Sequence, residues 1–220
     1  MKLRVAPDEW TVVQDHFDPE ANRVFESLFS LGNGHFGGRG NHEERYSGDS
    51  LRGNYLAGVY YPDPTRVGWW KNGYPDYFAK ILNAADWTPI HIDIDGEPLD
   101  LGTATISSFR RVLDMGTAEV QRTFDATVPN GPAVTVDALR FVVMTRPQLG
   151  VIRYRLTARS DMTVTVSSQV NGDVVNEDSN HEAGFWDETE RWVDGLRCGV
   201  VSTTRKTGFV CATTVETQVS

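Results

Sequence analysis

The sequence predicts an all-β protein of antiparallel strands, arranged as a sandwich or a barrel, with long loops rich in glycine and aromatic residues and little helix. Three observations predict this class. Apolar and polar residues alternate with period two from Thr88 onward. Turn residues such as Asp95-Gly96 separate the alternating stretches at short, regular spacing. Helical periodicity is scarce, and 220 residues suit one all-β domain.

The alternating stretches predict hairpins because each pair is joined by turn residues. In chain order, Ile90–Ile94 leads into the Asp95-Gly96 turn, Val112–Met115 meets Ala118–Val120, Ala126–Val128 meets Val134–Phe141, Val151–Ala158 meets Thr163–Val170, and Leu196–Thr203 meets Gly208–Thr214.

Two segments carry helical signals. Glu20 to Leu31 has apolar residues on one face and is expected to form one or two turns before Gly32 ends it. Glu182 to Trp192 is the other candidate. Residues 32–87 show little alternation, and we expect most of this stretch to be irregular loop.

The charge balance argues against two classes of partner. Lys and Arg total 21 and Asp and Glu total 30, which gives a net charge of −9. Such a chain repels phosphate backbones and anionic lipid surfaces, so we expect neither nucleic acid nor membrane as a partner. The N-terminus shows no secretory signal, which favours the cytoplasm and reduced thiols for Cys198 and Cys211. These two cysteines could face each other across a hairpin near Arg205.

A glycine motif at residues 32–37 matches G-x-G-x-x-G, the dinucleotide-binding pattern. That pattern requires a helix at its last glycine, whereas Gly38-Arg39-Gly40-Asn41 starts a helix poorly. The glycines therefore indicate close backbone packing instead.

Glu43-Glu44 is an adjacent carboxylate pair, and glycoside hydrolysis uses two carboxyl groups. Neighbours on an extended strand point to opposite faces, so we expect salt bridges with Arg39, Arg45 or Arg52 rather than catalysis.

No metal site is predicted from the histidines or acids. The five histidines lack the spacing of a zinc motif. The group Asp173, Glu177, Asp178 and His181 lacks the calcium-loop pattern.

The loop from Pro62 to Tyr77 is the candidate functional segment. Its aromatic, cationic and amide side chains favour contact with a sugar, a domain or subunit interface, or packing within its own domain. The candidate residues are Arg66, Trp69, Trp70, Lys71, Asn72 and Tyr74.

Several segments resemble the N-terminal domain of glycoside hydrolase family 65. In order they are Phe17–Glu20, Glu26–Gly34, Gly38–Asn41, Gly58–Asp63 and Leu113–Met115. Two others, Thr65–Pro75 and Asn171–Asn180 with Phe185-Trp186, look most like the maltose phosphorylase branch of that family. The likeness runs from about Trp10 to Val210, although His35-Phe36 stands where the family usually has Tyr and an aliphatic residue.

The resemblance implies a large β-sandwich, a super-sandwich, that precedes an (α/α)6 barrel. In this family the barrel holds the general acid and the phosphate site, so no catalytic residue is carried over to this chain. The implied reaction is inverting: inorganic phosphate, the co-substrate, converts maltose to β-glucose 1-phosphate and glucose, without a cofactor. We expect the chain alone to be inactive.

From the residues and the resemblance together, we expect residues 1–220 to be a single domain, truncated at its C-terminal end. Its expected partners are the barrel of the same polypeptide, a second copy in a homodimer, and the disaccharide. The alternatives are a stand-alone carbohydrate-binding module, a structural interaction domain, or the same domain from a trehalose or nigerose phosphorylase or a trehalase.

Overall fold

Antiparallel strands form most of the structure, which confirms the all-β class. The structure is a computed structural model and describes residues 5–7, 9–65, 73–129, 131–177 and 184–220. In chain order the strands are β1 (Val5–Pro7), β2 (Thr11–Gln14), β3 (Leu31–Gly32), β4 (Phe36–Gly38), β5 (Asn54–Pro64), β6 (Tyr77–Asn83), β7 (Ile90–Ile94), β8 (Glu97–Pro98), β9 (Thr105–Asp114), β10 (Glu119–Thr127), β11 (Ala133–Val142), β12 (Gly150–Ala158), β13 (Val164–Ser168), β14 (Trp186–Asp194), β15 (Arg197–Thr204) and β16 (Val210–Glu216).

The chain divides into two units. Unit 1 comprises Met1–Gly53 and Thr88–Gln169, and unit 2 comprises Asn54–Trp87 and Val170–Ser220.

Helix α1 (Asn22–Leu28) confirms the first helical signal and belongs to unit 1. A 3-10 turn precedes it, and the Asp18 carboxylate caps this turn by accepting hydrogen bonds from the backbone N–H groups of Glu20 and Ala21. Phe25 on the helix is buried. Among the described residues, no helix is both long and apolar enough to span a membrane.

A six-stranded antiparallel sheet in the order β1-β2-β9-β10-β11-β12 is the main layer of unit 1. Its register pairs Leu113 with Val120 and Ala126 with Val134, as two of the predicted hairpins require. The Asp95-Gly96 turn between β7 and β8 is also confirmed, with φ values of 52° and 87°.

The predicted hairpin between β12 and β13 is wrong. β12 pairs with β11, whereas β13 crosses to β7 and forms the three-stranded sheet β13-β7-β8. Alternation decides which side chains face inward but does not select the neighbouring strand. The second sheet supplies Ile92 and Ile94, which are buried with Phe124 and Val136 of the main sheet, so unit 1 is a two-layer β-sandwich.

In unit 2, β14-β15-β16 form one antiparallel sheet and β5 pairs with β6. The buried apolar cluster of this unit contains Tyr61, Leu82 and Phe185. The segment 32–87 is thus less irregular than expected, since β5 and β6 lie within it. A break in the pairing of β5 between Tyr55 and Tyr60 interrupts the alternation that would have revealed it.

Two smaller expectations for unit 2 are also corrected. The helix predicted at Glu182 to Trp192 is wrong, because β14 occupies Trp186–Asp194 and pairs with β15. The hairpin β15–β16 is confirmed, but it does not place the two cysteines opposite each other. Cys198 pairs with Val215 and Cys211 with Ser202, and both thiols are free.

The glycine motif forms the tight hairpin β3–β4, which excludes the dinucleotide reading and confirms close backbone packing. The Asn33 side chain accepts hydrogen bonds from the backbone N–H groups of His35 and Phe36. A Cβ atom on Gly37 would lie 2.8 Å from the carbonyl oxygen of Leu31. A larger residue at position 37 would therefore force the two strands apart.

Candidate functional site

Three arginines occupy the inner face of the main sheet in unit 1, where apolar residues are usual. Arg111 lies on β9, Arg122 on β10 and Arg140 on β11, and all three are buried. The register pairs Arg122 with Arg111, so these two side chains share one face of the sheet. The inner face therefore has an apolar half around Phe124 and a cationic half.

Glu43 and Glu44 neutralise this cationic half. Arg122 Nη2 lies 2.5 Å from Glu43 Oε2 and 2.7 Å from Glu44 Oε2. Arg140 Nη1 lies 3.5 Å from Glu43 Oε1, and the Tyr154 hydroxyl donates to Glu44 Oε1 at 2.7 Å. We call these five residues the ion cluster.

The ion cluster corrects the prediction for the carboxylate pair. Residues 43 and 44 lie in a bend rather than an extended strand, so both side chains reach the same guanidinium. The arginines expected to pair with them make other contacts. Arg45 pairs with Asp93, Arg39 donates to the Leu51 carbonyl oxygen and Arg52 to that of His42.

His42 is a neutral member of the same region. Arg122 Nη1 lies 3.3 Å from His42 Nδ1, and because a guanidinium can only donate, Nδ1 accepts. The other ring nitrogen therefore carries the proton and donates to Asn22 Oδ1 at 3.2 Å. Burial lowers the pKa of His42 well below its usual value, and the positive charges of Arg122 and Arg111 lower it further.

The protonation of the ion cluster follows from competing effects. Burial opposes ionisation of Glu43, but Arg140 and Arg122 outweigh it and lower the pKa of Glu43. Burial also disfavours the Arg122 cation, yet Glu44 and Glu43 raise its pKa. Burial and the Glu44 charge raise the pKa of Tyr154, so its hydroxyl stays a donor.

This arrangement is suited to holding structure, not to acid–base catalysis. A glycosidase needs two carboxyl groups that flank a sugar bond in an open cleft. Here the Arg122 guanidinium fills the space between Glu43 and Glu44, and the side chains of all three are at most 4 % exposed. The cluster instead fixes the irregular segment around residues 41–53 over the cationic half of the sheet.

A second polar group, around Arg111, holds the same segment. The Arg111 guanidinium donates to Gln14 Oε1 and to the Gly40 carbonyl oxygen, and lies 4.4 Å from the centre of the Phe29 ring. On α1, Glu26 accepts hydrogen bonds from the backbone N–H of Leu51 and the side chain of Asn22.

In unit 2, asparagine side chains hold the segment that includes part of the Asn171–Asn180 motif. Asn176 Oδ1 accepts from the backbone N–H of Asn83, while its amide donates to the Ile81 carbonyl oxygen. Asn83 in turn donates to the carbonyl oxygen of Val175 and accepts from the backbone N–H of Asn54. The motif residues therefore support the end of β6.

Most of the candidate residues in the predicted site loop lie outside the described residues. Arg66, Trp69, Trp70, Lys71 and Asn72 all fall there. Tyr74 is described, and its exposed ring makes an edge contact with Phe78 at 6.0 Å between ring centres. Asp178 and His181 of the predicted acidic group also lie outside. Within the described ranges, no three His, Cys, Asp or Glu side chains are grouped as metal ligands would be.

The ion cluster was missed from the sequence, although a signal for it exists. Arg122 is in phase with Val120 and Phe124 along β10, and Arg140 is in phase with Val136 and Ala138 along β11. Arginines at apolar positions of alternating strands indicate buried cations, which require acidic partners.

Comparison with known proteins identifies the family. The family described as Glycosyl hydrolase family 65, N-terminal domain, matches residues 12–220. The chain belongs to this family. A solved structure described as a kojibiose phosphorylase from the human microbiome superposes with a TM-score of 0.87 at 22% identity, over 98% of this chain and 28% of that one. The matching part of that solved structure therefore has the same fold as this chain.

Three curated relatives of this family 65 domain are disaccharide phosphorylases. Maltose phosphorylase of Bacillus subtilis (strain 168) is 41% identical over 188 residues, which is 85% of this chain and 25% of the relative. The α,α-trehalose phosphorylase of Thermoanaerobacter brockii is 31% identical over 95% of this chain and 29% of its own length. Kojibiose phosphorylase of Escherichia coli (strain K12) is 29% identical over 84% of this chain and 22% of its own length. The chain thus spans about a quarter of the length of these relatives.

Proposed function

We propose that this family 65 domain is the non-catalytic N-terminal part of an inverting phosphorylase that converts maltose and inorganic phosphate to β-glucose 1-phosphate and glucose. It would support an (α/α)6 catalytic barrel and take part in a homodimer in the cytoplasm. The observation that carries the choice of maltose is the 41% identity with maltose phosphorylase, against 31% and 29% with the trehalose and kojibiose enzymes.

The ion cluster supports a non-catalytic role. Its two carboxylates are buried and paired with Arg122, so neither is placed to give a proton to a leaving sugar. In this proposal the general acid and the phosphate site belong to the barrel, and no cofactor is needed.

The loop between Pro62 and Tyr77 would contact the substrate or a subunit interface, through Arg66, Trp69, Trp70, Lys71, Asn72 and Tyr74. Tyr74 supports this role because its ring is 47% exposed beside Phe78, and exposed aromatic rings are suited to both sugar faces and protein contacts.

A chimera tests the proposal. This chain replaces the matching quarter of the Bacillus subtilis maltose phosphorylase, and release of glucose 1-phosphate from maltose and phosphate is measured. We expect the chimera to be active and the 220-residue chain alone to be inactive and to show no maltose binding by calorimetry. The variant Trp69→Ala/Trp70→Ala in the chimera should raise KM for maltose or weaken dimer formation.

The control is a second chimera, in which this chain replaces the matching part of the Escherichia coli kojibiose phosphorylase. We expect its phosphorolysis of kojibiose to be weaker, because the chain is only 29% identical to that enzyme and should fit its catalytic barrel less well. Turnover of maltose by the isolated chain would refute the non-catalytic role. Binding of maltose by that chain would favour the carbohydrate-binding module instead.

A further inference from the structure

The outer face of the β14–β15–β16 sheet in unit 2 carries a tryptophan that lies flat on the backbone. The register pairs Trp192 on β14 with Gly199 on β15, while Val200 and Ser202 on the opposite face of β15 are buried. A Cβ atom on Gly199 would lie 2.7 Å from both Cε2 and Cζ2 of Trp192 and 2.8 Å from its Nε1. These three ring atoms are nearly equidistant from that point, so one face of the indole covers the glycine.

The rest of the Trp192 side chain is available to a ligand. The residue is half-buried, as expected for a ring with one covered face. Among the described residues it makes no hydrogen bond through its side chain and no contact with another ring, and its Nε1–H is open to solvent. A buried indole N–H usually has an acceptor. The side chain therefore offers an aromatic face and a free donor at the surface.

Polar side chains surround this ring on the same face of the sheet. Glu190 and Asp194 lie two residues before and two residues after Trp192, and Thr214 pairs with Gly199 from the next strand. All three are exposed, and within the part of the chain that the structure describes their side chains have no hydrogen-bond or ion-pair partner. We call Trp192 and these three residues the indole site.

The groups of the indole site are suited to a neutral sugar. Two carboxylates flank the ring and the chain has a net charge of −9, so an anionic ligand would be repelled. The C–H face of a pyranose packs on the indole, and its hydroxyls donate to Glu190 and Asp194 and accept from the Trp192 Nε1–H. An organic cation also fits an aromatic face beside carboxylates, but it offers no acceptor to that N–H.

We propose that the indole site binds an α-1,4-glucan chain, with one glucose ring stacked on Trp192. The sugar class follows from the site, whereas the choice of α-1,4-linked glucose rests on the proposed function, because maltose is the repeating unit of that polymer.

The spacing of the carboxylates favours a chain over a disaccharide. Glu190 and Asp194 are four residues apart, which is about 13 Å along an extended strand and longer than one sugar ring. A chain of several glucose units reaches both carboxylates, whereas maltose stacked on Trp192 reaches one of them. Maltose alone should therefore bind too weakly for calorimetry to register.

Native gel electrophoresis of the 220-residue chain, with and without soluble amylose in the gel, tests the proposal. We expect amylose to slow the wild-type chain, because its many repeats compensate for weak binding of each one. Trp192→Ala should raise the dissociation constant about tenfold, and Trp192→Phe should recover part of the loss because a phenyl ring keeps a stacking face. The matched control is Trp10→Ala, which removes an exposed tryptophan of unit 1 and should leave the retardation unchanged.

A second variant disturbs the site without removing the tryptophan. Gly199→Ala places a methyl group 2.7 Å from the ring, so the indole must tilt away from the sheet and the retardation should weaken. Circular dichroism of each variant checks that the fold is retained. If Trp192→Ala fails to fold, Trp192→Phe and Gly199→Ala still decide the result.

Three outcomes would overturn the proposal. They are a wild-type chain that amylose does not slow, retardation that Trp192→Ala and Gly199→Ala leave unchanged, and equal retardation by a soluble β-1,4-glucan. Tryptophan fluorescence, compared between wild type and Trp192→Ala, tests the cation. A Trp192 signal that responds to arginine and not to maltoheptaose would refute the sugar. An inactive chimera beside Trp192-dependent retardation would refute the catalytic part of the proposed function and leave the sugar site standing.

Discussion

At the scale of single residues, Arg122 is the contact that the two buried acids share. Its Nη2 atom serves Glu43 and Glu44 together, and its Nη1 atom fixes the proton position on His42. Buried ion pairs often add little net stability compared with apolar residues, but removal of one partner leaves an uncompensated charge. Position 122 is therefore where a single substitution should have the largest effect.

Arg122→Met should lower the free energy of unfolding by about 3–5 kcal/mol, since it removes the guanidinium that both buried carboxylates contact. Urea unfolding measures the loss. The control is Arg153→Met, whose side chain is 58% exposed and 3.8 Å from Asp137, and a change below about 1 kcal/mol is expected there. Equal losses in the two variants would show that the ion cluster has no special role.

His42 should make stability fall as the pH drops below about 6.5. In the unfolded chain this histidine takes up a proton near that pH, whereas in the folded chain its lowered pKa keeps it neutral. The unfolded state then binds more protons, so the free energy of unfolding falls by up to about 1.4 kcal/mol per pH unit. Urea unfolding of wild type and His42→Gln between pH 5 and 7 should show a shallower slope in the variant.

His91→Gln is the matched control for this slope. The pKa of His91 is also lowered, mainly by burial, but the side chain is only partly buried. Its replacement should remove less of the pH dependence than replacement of His42. A slope unchanged in His42→Gln would contradict the assignment.

At the scale of elements, close packing of strands β3 and β4 explains the glycine pattern at residues 32–37, and a dinucleotide-binding motif does not. Gly32 and Gly37 face each other in the register, but only one of them is tightly packed. A Cβ atom on Gly37 would meet the Leu31 carbonyl oxygen at 2.8 Å, whereas on Gly32 the nearest atoms lie at 3.7 Å.

Gly37→Ala should therefore destabilise the protein by about 1–3 kcal/mol, the usual cost of overpacking. Gly32→Ala, in the same hairpin, should change stability much less because its new methyl group makes ordinary contacts. Chemical unfolding of both variants separates the two cases. If the Gly32 variant loses as much as the Gly37 variant, the close approach of the strands is not the cause.

At the scale of the whole molecule, the positions of the strands could be predicted from the sequence more accurately than the pairing between strands. Alternation and turn chemistry located β9, β10, β11, β15 and β16, because both signals are local. The pairing of β13 with β7 was missed because it joins segments some 70 residues apart. Which strand β13 pairs with depends on the packing of the two sheets, and the alternation within β13 carries no information about that.

The candidate site was predictable only in part. Glu43-Glu44 was noticed as a pair that forms salt bridges, but the side-chain directions and the partners expected for it were wrong, because a bend turns both side chains toward one arginine. The partners Arg122 and Arg140 lie far along the chain, and only their phase on the strands points to them. Tyr74 is the one candidate loop residue that lies among those the structure describes.

The separation between Glu43 and Arg122 has a consequence for biosynthesis. The two residues are 79 positions apart, and Glu44 is 78 positions from the same arginine. At about 5–20 residues per second, the ribosome adds the arginine about 4–16 s after the acids. During that interval the acidic segment must stay hydrated, so the first fifty residues cannot complete their packing until the middle of the chain has been translated.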